Sequence, residues 1–340
     1  MISSLRAFIS GCATTILTED ETSFFREARS CGLILFRRNC ENSEQIRALV
    51  RQFHEAVGSD QPLVLIDQEG GHVQRLVPPL WRRYPSGRFF GGLHARDPAT
   101  ALEAAHLGAR LIARDLAALG ITVNCAPVLD LPVQGAHDVI GDRAYGSTVE
   151  QVAALGRAVA EGYLEGGVLP VIKHIPGHGR AGVDSHHTLP VITASHAELA
   201  QTDFQPFRAL ADMPLAMTAH ILIPAIDRTH PASTSATIIR DVIRQEIGFD
   251  GLLMSDDIGM KALSGGADTL SRAVLNAGCD VVLHCSGNLA EMTAVAGVAP
   301  ELNGDAARRF TAARARLIDP APFDEDRALA LLGEGLAETA

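Results

Sequence analysis

Short β-branched runs alternating with longer amphipathic stretches predict an α/β fold: a single (β/α)8 barrel over residues 1–340, with its active site at the C-terminal ends of the strands. Three observations carry this. Strand-like and helix-like segments alternate along the whole chain of 340 residues, which is the pattern of a parallel sheet covered by helices. Seven clear strand candidates and an eighth, weaker one suit a closed barrel better than an open, doubly wound sheet. Polar residues gather where the strand candidates end, and in a barrel those ends share one face.

In chain order, the weak candidate is 11–16. GLILF (32–36) follows, then PLVLID (62–67), which runs into Asp67, and ITVNCAPVLD (121–130), which closes on Asp130. PVIKH (170–174) ends in Lys173 and His174, LAMTAH (215–220) in His220, GLLMSDD (251–257) in Asp256 and Asp257, and DVVLHC (280–285) in a histidine and a cysteine. The stretches between them, such as SEQIRALVRQFHEAVG, ATALEAAHLGARLIARDLAALG, VEQVAALGRAVAEGYLEGG and SATIIRDVIRQEIG, repeat apolar residues at three and four spacing and read as helices. AARRFTAARARL and DRALALLGEGLAE read as outer helices near the C-terminus. No linker, low-complexity tract or internal repeat divides the chain, so a single domain is expected.

Composition bounds the function. Hydrophobic residues make up 47% and charged residues 20%, within the globular range. A formal net charge of -11 argues against a surface that neutralises phosphates, so nucleic acid is not an expected partner. No segment has the apolar length of a membrane span, and MISSLRAFISGCATT is too short and weakly charged for a signal peptide, so the expected compartment is the cytoplasm. The six cysteines form no CxxC pair and are expected to be reduced and structural. A monomer that uses no cofactor is expected.

Three motifs carry chemistry. In LIDQEGGHVQR, a strand runs into Asp67 and Glu69 before a Gly-Gly turn, so a carboxylate there could accept adjacent sugar hydroxyls, with Arg75 across the same pocket. In DVIGDRAYG, Arg143 sits in an irregular loop that suits a guanidinium aimed into a site. A salt-bridged turn and a solvated arginine are the competing readings. KHIPGHGRAGVDSHH (173–187) is more specific: Asp184 and His186 lie two residues apart in a glycine-rich loop. In extended backbone that spacing puts both side chains on one side, so the carboxylate can orient the imidazole and stabilise its protonated form. Such a dyad moves protons near neutral pH, and Asp256, at a strand end, supplies a second group able to attack or stabilise a cationic centre. A carboxylate on one side of a bond and a proton donor on the other is the arrangement for glycoside hydrolysis with retention.

From GLILFRRN through DQEGG, APVLD, IGDRAYG, KHIPGHG, DSHHTLP, MTAHI and PAS to GFDGLLMSDDIGM, the chain resembles the bacterial β-N-acetylglucosaminidases (β-hexosaminidases) of glycoside hydrolase family 3. The resemblance implies Asp256 as nucleophile, His186 as acid/base and Asp184 as the residue that tunes it. It implies Asp67, Arg75, Arg143, Lys173 and His174 as sugar-binding residues. It implies a small carbohydrate bearing N-acetylglucosamine as substrate and a role in cytoplasmic recycling of cell-wall muropeptides. Larger members take a glutamate from a second domain, for which the roughly eighty residues after Met260 leave no room. The acid/base is therefore expected from the barrel's own loop, with Gly177, Gly179 and Gly182 easing its rearrangement. His72 and His284-Cys285 depart from the pattern and bear on fine specificity. Two other readings stand beside this one. His174, His178, His186, His187, His220 and Asp256 could form a zinc site, although no HxH pair ends an early strand and Lys173 disfavours a cation. A catalytically inactive sugar-binding barrel is the other.

Overall fold

The computed structural model describes residues 5–133, 140–183, 185 and 188–337. Its strands close into a barrel in chain order: β1 (Arg6–Ser10), β2 (Ser30–Leu35), β3 (Leu63–Ile66), β4 (Val123–Asn124), β5 (Leu169–Ile175), β6 (Leu215–Thr218), β7 (Leu252–Asp257) and β8 (Val281–His284). All neighbours are parallel, and β8 returns to β1 with Val282 beside Phe8 and Leu283 beside Ile9. Both faces of such a sheet are covered, which is why β2 and β5 are buried at every position, including Lys173 and His174 near the end of β5.

The helices form where the three-four spacing places them. Ser43–Val57 is capped by Asn42, whose side chain accepts the Gln45 N–H, and it buries Ile46, Leu49, Val50 and Phe53. Pro98–Ala117 and Val149–Glu165 cross closely at Gly162, where a Cβ would lie 2.4 Å from the His106 carbonyl oxygen. The expected outer helices are Gly304–Arg314 and Glu325–Ala337, the latter tied to Pro98–Ala117 by Arg327 and Glu103 at 2.7 Å. All six cysteines are free and buried. Burial pushes the Cys12, Cys31 and Cys40 thiols up to about 12, so they behave as small apolar groups.

The expectation of a strand at 11–16 is corrected: the first strand is 6–10, just upstream. Gly11 ends it by passing so close to β8 that a Cβ would lie 2.6 Å from the Cys285 carbonyl oxygen. Beyond Gly11 the backbone carbonyls are taken by side chains instead of a neighbouring strand. Asn39 donates to Cys12 and Thr14 at 3.1 and 2.7 Å, and Gln45 to Thr15 at 2.6 Å. β4 is also shorter than 121–130, because Pro127 has no N–H for the ladder. Pairing resumes where the Leu129 N–H donates to Lys173 at 2.7 Å, which carries Asp130 to the rim. Within SATIIRDVIRQEIG, Ile238–Glu246 forms a π-helix burying Ile238, Ile239, Val242 and Ile243.

Candidate active site

The polar strand ends expected from the sequence do meet on one face. A cavity of about 520 Å³ opens there, with Asp67, Glu69, Arg75, Arg143, Lys173, His174 and Asp256 in its wall. All of the expected sugar-binding residues line it, together with the expected nucleophile. The expected dyad, Asp184 and His186, lies outside the described residues, as does His187. Ser185, between the two dyad positions, is buried in the wall of the same cavity, and its carbonyl accepts the Ala262 N–H at 3.2 Å.

One side of the cavity is an ion-pair network built from the segments after β3 and β4 and from strand β5 itself. Lys173, on β5, donates to Asp67 at 2.9 Å and approaches Glu69 at 2.6 Å. Arg75 holds the other oxygen of Asp67 at 2.8 Å, and its guanidinium lies 5.1 Å from the centre of the Phe36 ring. Arg143 grips Glu69 with two hydrogen bonds of 2.8 Å, a bidentate geometry that a lysine could not make. Burial opposes ionisation of Glu69, but Arg143 and Lys173 outweigh it and hold the carboxyl down to about 2. Asp67 likewise lies well below the ordinary range, because Lys173 and Arg75 overcome its burial. The carboxylates in turn raise Lys173, so the network stays fully charged at neutral pH.

This sets an acid limit. The folded-state pKa of Glu69 lies below its ordinary value of 4.5, so its contribution is present above about 4.5 and lost as pH falls through about 2. Wild-type stability should therefore fall across that window by a few kcal/mol from this group. Chemical denaturation at stepped pH should show a shallower fall for Glu69→Gln, and equal slopes would remove Glu69 as the source.

A second hub is Asp130, fully buried beneath the site. It accepts from the His174 ring at 2.6 Å and from the backbone N–H of His178 at 2.7 Å. Its own burial works against ionisation, but the His174 imidazole more than offsets that and holds it at about 2. With Nδ1 of His174 committed to Asp130, Nε2 is the ring nitrogen available to a ligand.

At the end of β7, Asp256 accepts the Asp257 N–H at 2.8 Å and has no ion-pair partner among the described residues. It lies below the ordinary carboxylate range: burial opposes this, but the His220 and His174 imidazoles and the Lys173 ammonium prevail. Asp257 accepts from the Gly259 N–H at 3.0 Å and the Cys285 N–H at 3.1 Å and also reaches the cavity wall. His220 braces this turn from behind, with Nε2 on the Asp257 carbonyl at 3.0 Å and Nδ1 on Ser233 at 2.8 Å. Both its nitrogens are thus taken. Among the described residues no group of three His, Cys, Asp or Glu side chains is arranged to hold a metal ion. His72 pairs with Asp142 at 2.6 Å and His284 with Glu291 at 3.0 Å.

Sequence reasoning named Glu69 only as an acidic residue beside Asp67 and Asp130 only as a strand end, and gave Ser233 no role. Glu69 had a usable signal, since it stands two residues beyond Asp67 in extended backbone and so shares its side. Asp130 was visible as a polar strand end but not as the support of two histidines. Nothing local marks Ser233.

Comparison with known proteins agrees with this geometry. The profile of the "Glycosyl hydrolase family 3 N terminal domain" matches residues 13–319. A β-hexosaminidase of Bordetella avium is 38% identical over 274 residues, 79% of this chain and 77% of that protein. One of Alkalilimnicola ehrlichii is 40% identical over 280 residues, 81% and 79% of the two chains. Among solved structures, NagZ from Neisseria gonorrhoeae in complex with N-trifluoroacetyl-D-glucosamine superposes with a TM-score of 0.85 at 31% identity, covering 99% of this chain and 97% of that one. A family 3 β-N-acetylglucosaminidase from Paenibacillus sp. str. FPU-7 gives 0.86 at 30% identity, over 98% and 67%.

Proposed function

The chain belongs to glycosyl hydrolase family 3, and from that premise we propose that it removes terminal β-linked N-acetylglucosamine with retention, through a covalent glycosyl ester on Asp256. It is a glycoside hydrolase of the β-N-acetylhexosaminidase type and its substrate is a carbohydrate. The observation that carries the mechanistic reading is the contrast among the carboxylates. Asp67 and Glu69 are tied to cationic side chains and Asp257 is held by two backbone N–H groups. Asp256 alone is ionised, open to the cavity and without a side-chain partner among the described residues. That is the state a nucleophile needs.

In the first step the Asp256 carboxylate bonds to the anomeric carbon while His186 gives its proton to the departing glycosidic oxygen. In the second, His186 takes a proton from water, the water oxygen attacks the same carbon, and the ester bond to Asp256 breaks. Asp184 orients His186 and stabilises its charged form. Asp67, Lys173, Arg143 and His174 hold the sugar's hydroxyls, and the fixed charges around them cost no reorganisation when the bond breaks. The biological substrate in this reading is a cell-wall muropeptide fragment, hydrolysed in the cytoplasm by a monomer that needs no cofactor.

The test is a side-by-side assay of the purified protein on an aryl β-N-acetylglucosaminide and an aryl β-glucoside, with His186→Ala in parallel. The acetamido substrate should be strongly preferred. His186→Ala should lose on the order of 10²-fold or more on a disaccharide but far less on an aryl glycoside, whose leaving group needs no proton. Equal losses on both would remove His186 as the proton donor.

A further inference from the structure

His178 is the polar side chain at this site that nothing yet explains. It is 3% exposed and lines the cavity with Asp256, Arg143 and His174, yet neither of its ring nitrogens has a partner among the described residues. Its neighbours are all engaged: His174 by Asp130, Arg143 by Glu69, and Lys173 by Asp67 and Glu69. The placement is imposed by the backbone. Gly177 takes a positive φ of 135°, and Gly179 packs so tightly on Leu131 that a Cβ would lie 2.0 Å from its carbonyl oxygen. The turn is thereby pressed against the rim, and Asp130 pins the His178 N–H at 2.7 Å. The ring is left 5.7 Å from that of His174. A buried donor and acceptor without partners cost stability, and at the wall of an open cavity a bound ligand is the group placed to satisfy them.

We propose that His178 is a substrate-binding residue whose uncharged imidazole hydrogen-bonds a neutral polar group of the bound sugar, a hydroxyl or the acetamido group. The inference rests on the glycosidase reading. Burial pushes this imidazole down to about 4, so at neutral pH the ring offers one donor and one acceptor. That pair suits a hydroxyl or an amide and does not suit an ion. It also separates His178 from His186, because a ring without its second proton cannot serve as the acid.

The test compares His178→Leu and His178→Gln with wild type. On an aryl β-N-acetylglucosaminide, kcat/KM of His178→Leu should fall about 10- to 100-fold, equally for good and poor leaving groups, and His178→Gln should recover part of it. The stabilising shift in Tm caused by saturating N-acetylglucosamine should shrink in His178→Leu, while the Tm of the free protein is unchanged or higher, since an unsatisfied buried group has been removed. A merely structural histidine would instead lower the free Tm and leave the ligand shift intact, which overturns the proposal. A loss confined to poor leaving groups also overturns it, by making His178 a proton donor. If wild type does not hydrolyse the substrate, the glycosidase reading fails by itself and His178 is judged on the ligand-induced shift alone. Equal shifts in wild type and His178→Leu, or no shift in wild type, count against it.

Discussion

Asp256→Asn is expected to lower kcat/KM on an aryl β-N-acetylglucosaminide by at least about 10³-fold, or about 4 kcal/mol of transition-state stabilisation. The amide cannot form the ester, and the rest of the site is left in place. Stability should change little, because Asp256 accepts only a backbone N–H and has no ion-pair partner among the described residues. Asp256→Ala gives a sharper readout. With the carboxylate gone, azide can attack the anomeric carbon from the vacated side, so added azide should restore turnover of an activated β-glycoside and yield the α-glycosyl azide. Intact-protein mass spectrometry with a slow, activated substrate should show one sugar bound to wild type and none to either variant. A variant that keeps wild-type turnover would end the assignment.

Lys173→Met should have the largest effect on stability, a loss of about 3–5 kcal/mol. The ammonium sits between Asp67 at 2.9 Å and Glu69 at 2.6 Å with its side chain 3% exposed, so removing it leaves two buried carboxylates facing each other. Arg75 and Arg143 then each serve one carboxylate. Lys173→Arg should not rescue, because a planar fork does not fit where a compact ammonium bridges two acids. The pH dependence separates this from simple loss of packing. With the cation gone, one carboxyl's pKa rises, so the deficit relative to wild type should be smaller near pH 5 than near pH 7. Adding Glu69→Gln to Lys173→Met should recover part of the loss. A deficit that is constant with pH would mean that repulsion is not its cause.

Much of the architecture was legible because it depends on local pattern. Runs such as PLVLID and GLLMSDD open on continuous apolar residues because a parallel barrel buries both faces of its strands, and their polar last residues mark the rim. The first strand was misplaced by a few residues because its end is set by a contact between Gly11 and Cys285, far apart in sequence. The shortened fourth strand follows from a proline whose effect on the ladder shows only when its neighbour is known. In the site, Asp67, Arg75, Arg143, Lys173, His174 and Asp256 were found from strand ends and motif resemblance, and they line one cavity. Glu69 and Asp130 were visible as acidic residues at strand ends, but their roles come from partners brought in by other segments, Arg143 and Lys173 for one and His174 for the other, so no window of sequence could display those pairings. The orphaned ring of His178 is still less visible, since it is defined by the partners it lacks.

The ring of strands is completed last at its most consequential place. β8 is the final strand to leave the ribosome; its Leu283 carbonyl accepts the Ile258 N–H, and Cys285, the residue just after it, gives the N–H that steadies Asp257. Until it seats between β1 and β7, both of those carry bare edges open to intermolecular pairing. A nascent chain stalled before Val281 would hold Asp256 and Asp257 without the strand that steadies their turn. Premature-stop products would then be silent in an assay and prone to clump, so turnover counts finished molecules alone.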